Sequence, residues 1–215
     1  MPAMTQRKTQ DERSEATRER LLSAAVKILS DQGYANFRIA EVSNVSGVSR
    51  GGMIHHYPSK DALVADVLEY VFARILQRSE AKLSSVSNTA SALSTMVECA
   101  AEFFFGPDFP IYIDLVLAAR RGGPLPQTAR GLARKQSLSL EEFWASSLIA
   151  QGLDGKTARD AAGMIFSLMR GVAVKAIGTT EADDRDRIIK FALAAVKSHI
   201  ESRTKRRRSL AVTAA

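Results

Sequence analysis

His55 and His56 are neighbours in the chain, and that adjacency argues against a metal site. Successive side chains of a helix do not share a face, so the two imidazoles are poorly placed to close on one ion. Cys99 is the only cysteine and sits inside an apolar pattern. A buried thiol is expected there, and neither an intrachain disulfide nor a multi-cysteine cluster can form. The chain has no phosphate-cradling glycine loop and no nucleophile-elbow sequence, and its carboxylates are spread as solvated faces rather than paired for acid–base work. No catalytic residue, metal or cofactor is therefore expected. The chemistry that remains is recognition. Ser49 is a natural N-cap, and a helix that begins there offers its first backbone N–H groups and side chains to an anionic partner.

The elements around Ser49 have the pattern of a helix-turn-helix: two short helices that bury one small set of side chains across a turn able to take a left-handed backbone. Within residues 37–60, Ile39 and Val42 mark the inward face of a helix over 38–45. Ser43 is small enough for close approach, Gly47 occupies the turn, and Val48 and Met53 close the core against a second helix over 49–55. Upstream, Leu21, Leu22, Ala25, Ile28 and Leu29 share one face of a helix over 17–32 that Gly33 is placed to end. Downstream, Ser59-Lys60-Asp61 opens a helix over 59–82 with Leu63, Val64, Val67, Tyr70, Val71 and Ile75 turned inward. Further helices are expected over 89–105, 109–121, 127–151, 157–177 and 181–203. Their stops are Gly106-Pro107, Gly122-Gly123-Pro124 and Gly178, and Thr180 stands at capping-box spacing before the last. Apolar residues keep helical spacing almost throughout and strict alternation is missing, so the fold class is all-α.

Composition narrows the setting. Apolar residues make up 46% of the 215, enough to bury a core. The apolar stretch from Met164 to Met169 is broken by Arg170 and Lys175, well short of the roughly 20 residues a bilayer span needs, so no membrane span is expected. From Thr5 to Arg20 the chain is polar, without the hydrophobic centre of a secretory signal, and a cytoplasmic protein is expected. The net charge of +7 divides unevenly: residues 1–60 carry +3, residues 61–202 carry −1, and residues 203–215 carry +5. Most of the excess is thus the run Arg203-Thr204-Lys205-Arg206-Arg207-Arg208, which suits DNA phosphates and equally suits a solvated helix end.

Taken together, the Thr17-Arg18 start of an amphipathic helix, Gly33-Tyr34 at its end, Gly47-Val48-Ser49 in the turn and His55-His56-Tyr57-Pro58-Ser59-Lys60 after it resemble, in order and spacing, the N-terminal domain of TetR-type transcriptional regulators. The resemblance covers about the first third of the chain. It implies a DNA-binding domain over 14–74 with its motif at about 37–56, a C-terminal ligand-binding and dimerisation domain over 84–203, and a basic tail over 204–215. It also implies that the second motif helix enters the major groove of double-stranded operator DNA while flanking residues grip phosphates. Carried over by position, Arg38 reaches a base edge or phosphate, and Ser49 and Arg50 offer a hydroxyl and a guanidinium to phosphate oxygens or a guanine edge. Gly51 and Gly52 let the backbone approach the duplex. His55, Tyr57 and Lys60 match the phosphate clamp, and Thr17 touches the same strand; Tyr57 and Met53 equally suit the small core. Two departures stand out. Ile54 occupies a place where many members have Tyr, replacing a hydroxyl contact with an apolar one to a thymine methyl or a sugar. Ser43 and Ser46 stand where Ala is more usual, which keeps the size and lowers helix propensity.

For the C-terminal domain the resemblance implies a pocket for an apolar or amphipathic small-molecule effector, for which Met96, Phe103, Phe104, Tyr112, Trp144, Phe166 and Met169 are the candidate lining. Between Ala158 and Ile177 apolar residues go almost all round, with Ala162, Gly163, Gly171 and Ala173 allowing close approach. Ile188, Ala192, Leu193, Val196 and Ile200 stripe the last helix. These two helices can form a homodimer contact or pack only within the chain. The reading that results is a ligand-released repressor acting as a homodimer on a palindromic operator. Its competitors are a small-molecule carrier whose motif no longer reads DNA, and a helical enzyme for which the chain supplies no residues to nominate.

Overall fold

The computed structural model describes the backbone of residues 9–120, 127–177 and 182–213. Among these residues there are nine helices and no strand: α1 Gln10–Asn36, α2 Ile39–Ser46, α3 Arg50–His56, α4 Lys60–Leu83, α5 Thr89–Phe104, α6 Asp108–Arg120, α7 Gln127–Ala150, α8 Gly155–Ala176 and α9 Ala182–Thr213. The all-α class and the order of helices agree with the periodicity of the sequence. The expected stops at Gly122-Gly123-Pro124 and Gly178 and the cap at Thr180 lie outside the described residues.

Helix α1 starts well before Thr17. Thr9 caps it by accepting the Glu12 N–H, and the Glu12 carboxylate accepts the Thr9 N–H in return, a reciprocal cap that places acidic residues at the positive end of the helix dipole. Helix α9 continues beyond residue 203 through the basic run.

The chain forms two compact units. The first comprises Met1–Ala73 with Pro107–Lys135, and the second Arg74–Gly106 with Gln136–Ala215. Helix α4 passes from one into the other along its own length. In the first unit α1 packs against α2 and α6 through a face that buries Leu21, Leu22, Ala25, Ile28 and Leu29. Each of the leucines and the isoleucine contributes roughly 1.5–3 kcal/mol relative to exposure. Gly33 breaks α1 with φ 70°, a conformation that a side chain resists. The Asp114 carboxylate of α6 accepts the N–H of Tyr34 at that break, and a Cβ on Gly33 would lie 3.2 Å from its Oδ2. Helix α6 therefore joins the N-terminal helices, whereas the sequence grouped it with the C-terminal region.

In the second unit α5, α8 and α9 pack together. Asn88 and Asp154 cap α5 and α8 through their side chains. Inward residues are Ala92, Leu93, Met96 and Phe103 on α5, with Ala158, Ala162, Ile165 and Met169 on α8. Cys99 is buried here, and burial pushes its thiol above the ordinary range, which keeps it protonated and unreactive. No helix among the described residues is long and apolar enough to cross a membrane.

Candidate nucleic-acid interface

The turn between α2 and α3 is built from one glycine and three polar side chains. Gly47 sits at φ 65°, ψ 20°, the left-handed conformation its place in the motif requires. Helix ends leave carbonyls without partners, and the Arg20 guanidinium of α1 satisfies one by donating to Ser46 O at 2.6 Å. Ser43 Oγ donates across the turn to Val48 O at 2.6 Å. Ser46 Oγ accepts the Val48 N–H at 3.2 Å and donates to Ser43 O at 3.3 Å. The serines that lower helix propensity thus fasten the corner at which α3 leaves α2. At Gly52 the packing is close, since a Cβ there would lie 3.2 Å from Val48 Cγ1 and 3.3 Å from Ser49 Oγ and those side chains would have to give by a few tenths of an ångström.

Helix α3 presents one outward face. Ser49 is its N-cap and accepts the Gly52 N–H at 3.2 Å, while Met53 is buried beneath. Arg50, Gly51, Ile54 and His55 are exposed. No hydrogen bond or ion pair ties Arg50 to the described residues, so its guanidinium is available to a partner. Arg38, exposed at the start of α2, is steadied by donating to Ala35 O at 3.0 Å and Phe37 O at 3.3 Å. Together these residues form a surface of cations, a hydroxyl, an imidazole and bare backbone suited to a polyanion with readable edges.

Of the residues assigned by resemblance to phosphate contacts, Tyr57 is buried, while Lys60 and Thr17 are half-buried with their donors engaged within the chain. Tyr57 is 4% exposed and donates its phenol proton to Asp66 Oδ2 at 2.7 Å. Burial and this hydrogen bond push the phenol well above its ordinary range. Arg18 Nε donates to the same oxygen at 3.0 Å, so a Tyr57–Asp66–Arg18 triad locks α1, α4 and the end of α3. A phosphate contact from Tyr57 is incompatible with that burial. Lys60 Nζ lies 4.0 Å from the centroid of the Tyr34 ring and donates to Tyr34 O at 3.2 Å and Phe37 O at 3.0 Å. Burial and the nearby Arg38 charge lower its pKa. Two of its three protons thus hold the link between α1 and α2. Thr17 is half-buried and its hydroxyl donates to Arg13 O at 2.8 Å within α1. The sequence did not single out Arg20 or Asp66, because each acts on a residue far along the chain.

The candidate effector residues divide between the units. Met96, Phe103, Phe104, Trp144, Phe166 and Met169 are all buried in the second unit, where Phe104 meets Phe166 edge to face at 5.9 Å. Tyr112 belongs to the first unit and packs edge to face on Phe72 at 5.5 Å. Trp144 is fully buried, and its Nε1 has no hydrogen-bond partner among the described residues.

Helices α8 and α9 bury part of the expected contact stripe within the chain: Ala162, Ala173, Ala192, Val196 and Ile200 face inward. What they leave outside is a different apolar set, Met164, Val174, Ile177 and above all Phe191, which is 77% exposed. Gly163 and Gly171 are open, with nothing within 4 Å of an added Cβ.

A short helix with an exposed donor-rich face, set by a left-handed glycine against a partner helix and carried on a three-helix base, defines a helix-turn-helix DNA-binding protein. A family model described as bacterial regulatory proteins of the TetR family matches residues 21–67. The HTH-type transcriptional regulator CymR of Pseudomonas putida is 35% identical over 182 residues, which span 85% of this chain and 90% of that protein. The chain belongs to the TetR family and is a helix-turn-helix transcriptional regulator. The HTH-type transcriptional repressor NicS, also of Pseudomonas putida, is 30% identical over 94 residues, 43% of this chain and 44% of that one. Among solved structures, a transcriptional regulator from Saccharomonospora viridis in complex with choline shares the fold with a TM-score of 0.69 at 17% identity, covering 85% of this chain and 96% of that one.

Proposed function

We propose that the protein is a homodimeric repressor that binds a palindromic operator and is released from it by a small apolar or amphipathic effector. The observation that carries this reading is the outward face of α8 and α9. An aromatic side chain left 77% exposed on α9, together with exposed Val174 and Ile177 and two open glycines on its packing partner α8, is costly in water and suits a self-complementary four-helix contact. A two-fold pair doubles the bases read, because one seven-residue helix reads too few for useful specificity. It also sets the half-sites about 34–36 Å apart. The name of NicS supports repression as the sense of control, and the choline complex supports a small-molecule guest in a protein of this fold. The effector acts by binding better to a geometry in which the two α3 helices are off that spacing; equal affinity for both geometries would release nothing.

The test is sedimentation of the purified chain combined with selection from random duplex DNA. A dimer that enriches an inverted repeat, with affinity falling steeply as salt rises, is expected. Phe191→Glu should yield a folded monomer that no longer enriches it. A wild-type monomer, or enrichment of a single unrepeated site, rejects the reading. Trp144 is the chain's single tryptophan and one of the candidate effector residues, so a change in its fluorescence on adding an apolar or amphipathic compound is the expected sign of binding in the second unit. Ligand binding without any sequence-selective DNA binding would favour the carrier.

A further inference from the structure

We infer that Gly51 and Ile54 of α3 form a notch that reads the 5-methyl group of one thymine in each operator half-site, which makes Ile54 a specificity-determining residue. The inference rests on the operator reading above and adds the base that is read.

Residues three apart on a helix lie side by side, with Cβ atoms about 5–6 Å apart. At position 51 there is no Cβ, and one built there meets nothing within 4 Å. Beside it Ile54 stays 50% exposed, a stiff β-branched side chain whose burial in a partner is favourable. The result is an open apolar step about one methyl deep. It is bounded by Ser49 and Arg50 on one side and His55 on the other, all exposed and all able to donate hydrogen bonds. An apolar step inside a ring of donors, continuous with the face already assigned to DNA, requires a partner surface that is polar around and apolar at one point.

The major groove contains such a point at one base. Guanine, adenine and cytosine present acceptors and donors there, whereas thymine adds its C5-methyl group. A polar edge pressed against Ile54 would lose hydrogen bonds to water without replacement, an unfavourable exchange. A sugar in the notch would give no base preference at all, so the two occupants separate by experiment.

The probe is the duplex that the full chain itself enriches from random DNA, remade with deoxyuridine in place of thymine at one pair of symmetry-related positions at a time. Deoxyuridine removes the methyl group and leaves base pairing intact. At one thymine position the wild type should lose about fourfold in affinity per half-site, about fifteenfold for the symmetric pair. Ile54→Ala should bind the thymine duplex more weakly and should no longer distinguish thymine from deoxyuridine there. Gly51→Ala, which fills the notch, should bind the thymine duplex less well while tolerating deoxyuridine better. Unchanged melts establish that both variants fold. The inference is overturned if no thymine is sensitive, if sensitivity survives Ile54→Ala, or if that variant loses affinity equally for both bases. An enriched duplex without an inverted repeat would reject the dimeric reading while the thymine scan still proceeds. If no duplex is enriched, both fall together.

Discussion

The α2–α3 corner and the α8–α9 pair are made of the same helical material with opposite logic. At the corner, polar side chains work from behind: Arg20 on Ser46 O, Ser43 on Val48 O, and Asp66 between Tyr57 and Arg18. They leave glycine, donors and one isoleucine in front. In α8 and α9, alanine and other apolar residues work inside, and bulky apolar groups remain outside. A corner held by directional bonds fixes where α3 points, which base reading demands. A pair held by apolar packing leaves a surface whose useful property is area and shape, which suits another helical face.

The two regions also use glycine differently, and the largest predicted effect tests that. Gly47→Val should destabilise the protein by about 3 kcal/mol, because a β-branched residue at φ 65° is strained and its Cβ would lie 3.1 Å from the Arg20 guanidinium. A fall in melting temperature with loss of DNA binding is the expected result. Measured in the monomeric Phe191→Glu background, where no partner covers the face, Gly171→Ala on α8 should leave stability unchanged or raise it by up to about 1 kcal/mol, since its Cβ meets nothing within 4 Å and alanine is the better helix former. A destabilising Gly171→Ala would mean that this face is already filled, and the contrast would collapse.

The next effect separates reading from holding within the corner itself. Arg50→Ala should weaken operator binding by about 1–3 kcal/mol per half-site and leave the melt in place, because nothing within the described residues depends on its guanidinium. Lys60→Ala should lower both, with a stability loss of about 1 kcal/mol from the two hydrogen bonds and the contact with the Tyr34 ring that it removes. Titration of a labelled operator beside a thermal melt gives both quantities. Equal behaviour of the two variants would show that exposure does not divide these residues as described.

The sequence made the frame legible wherever periodicity and turn chemistry coincide: α2 to α8, Gly47 and the Ser49 cap lie within a few residues of where spacing placed them, while α1 begins earlier and α9 runs further. The N-terminal turns of α1 were hidden because Thr9 and Glu12 hold them without any apolar stripe. The place of α6 was hidden because Asp114 reaches Tyr34 across a distance that local patterns do not encode. Tyr57 and Lys60 matched a recognition pattern, yet their partners Asp66, Tyr34 and Phe37 turn them inward. Phe191 stayed unnoticed because the regular stripe Ile188, Ala192, Leu193, Val196 and Ile200 drew attention on α9, and Ala192, Val196 and Ile200 of it are buried within the chain.

Ser43 gives the smallest effect and the sharpest measure of what propensity leaves out. Judged locally, Ser43→Ala should stabilise α2 by a few tenths of a kcal/mol, since alanine favours helix and frees no backbone competitor. Judged from the corner, it removes the donor to Val48 O, a 2.6 Å bond in a part-buried site, and should cost about 1 kcal/mol. The second effect exceeds the first, so a net loss of roughly 0.5–1 kcal/mol in a denaturant melt is expected, with operator affinity falling because α3 leaves its turn less firmly held. A net gain in stability would show that the Ser43 hydroxyl contributes nothing beyond what water supplies. The corner would then be held by Gly47, Arg20 and Ser46, with one directional bond fewer between it and the apolar packing of α8 and α9.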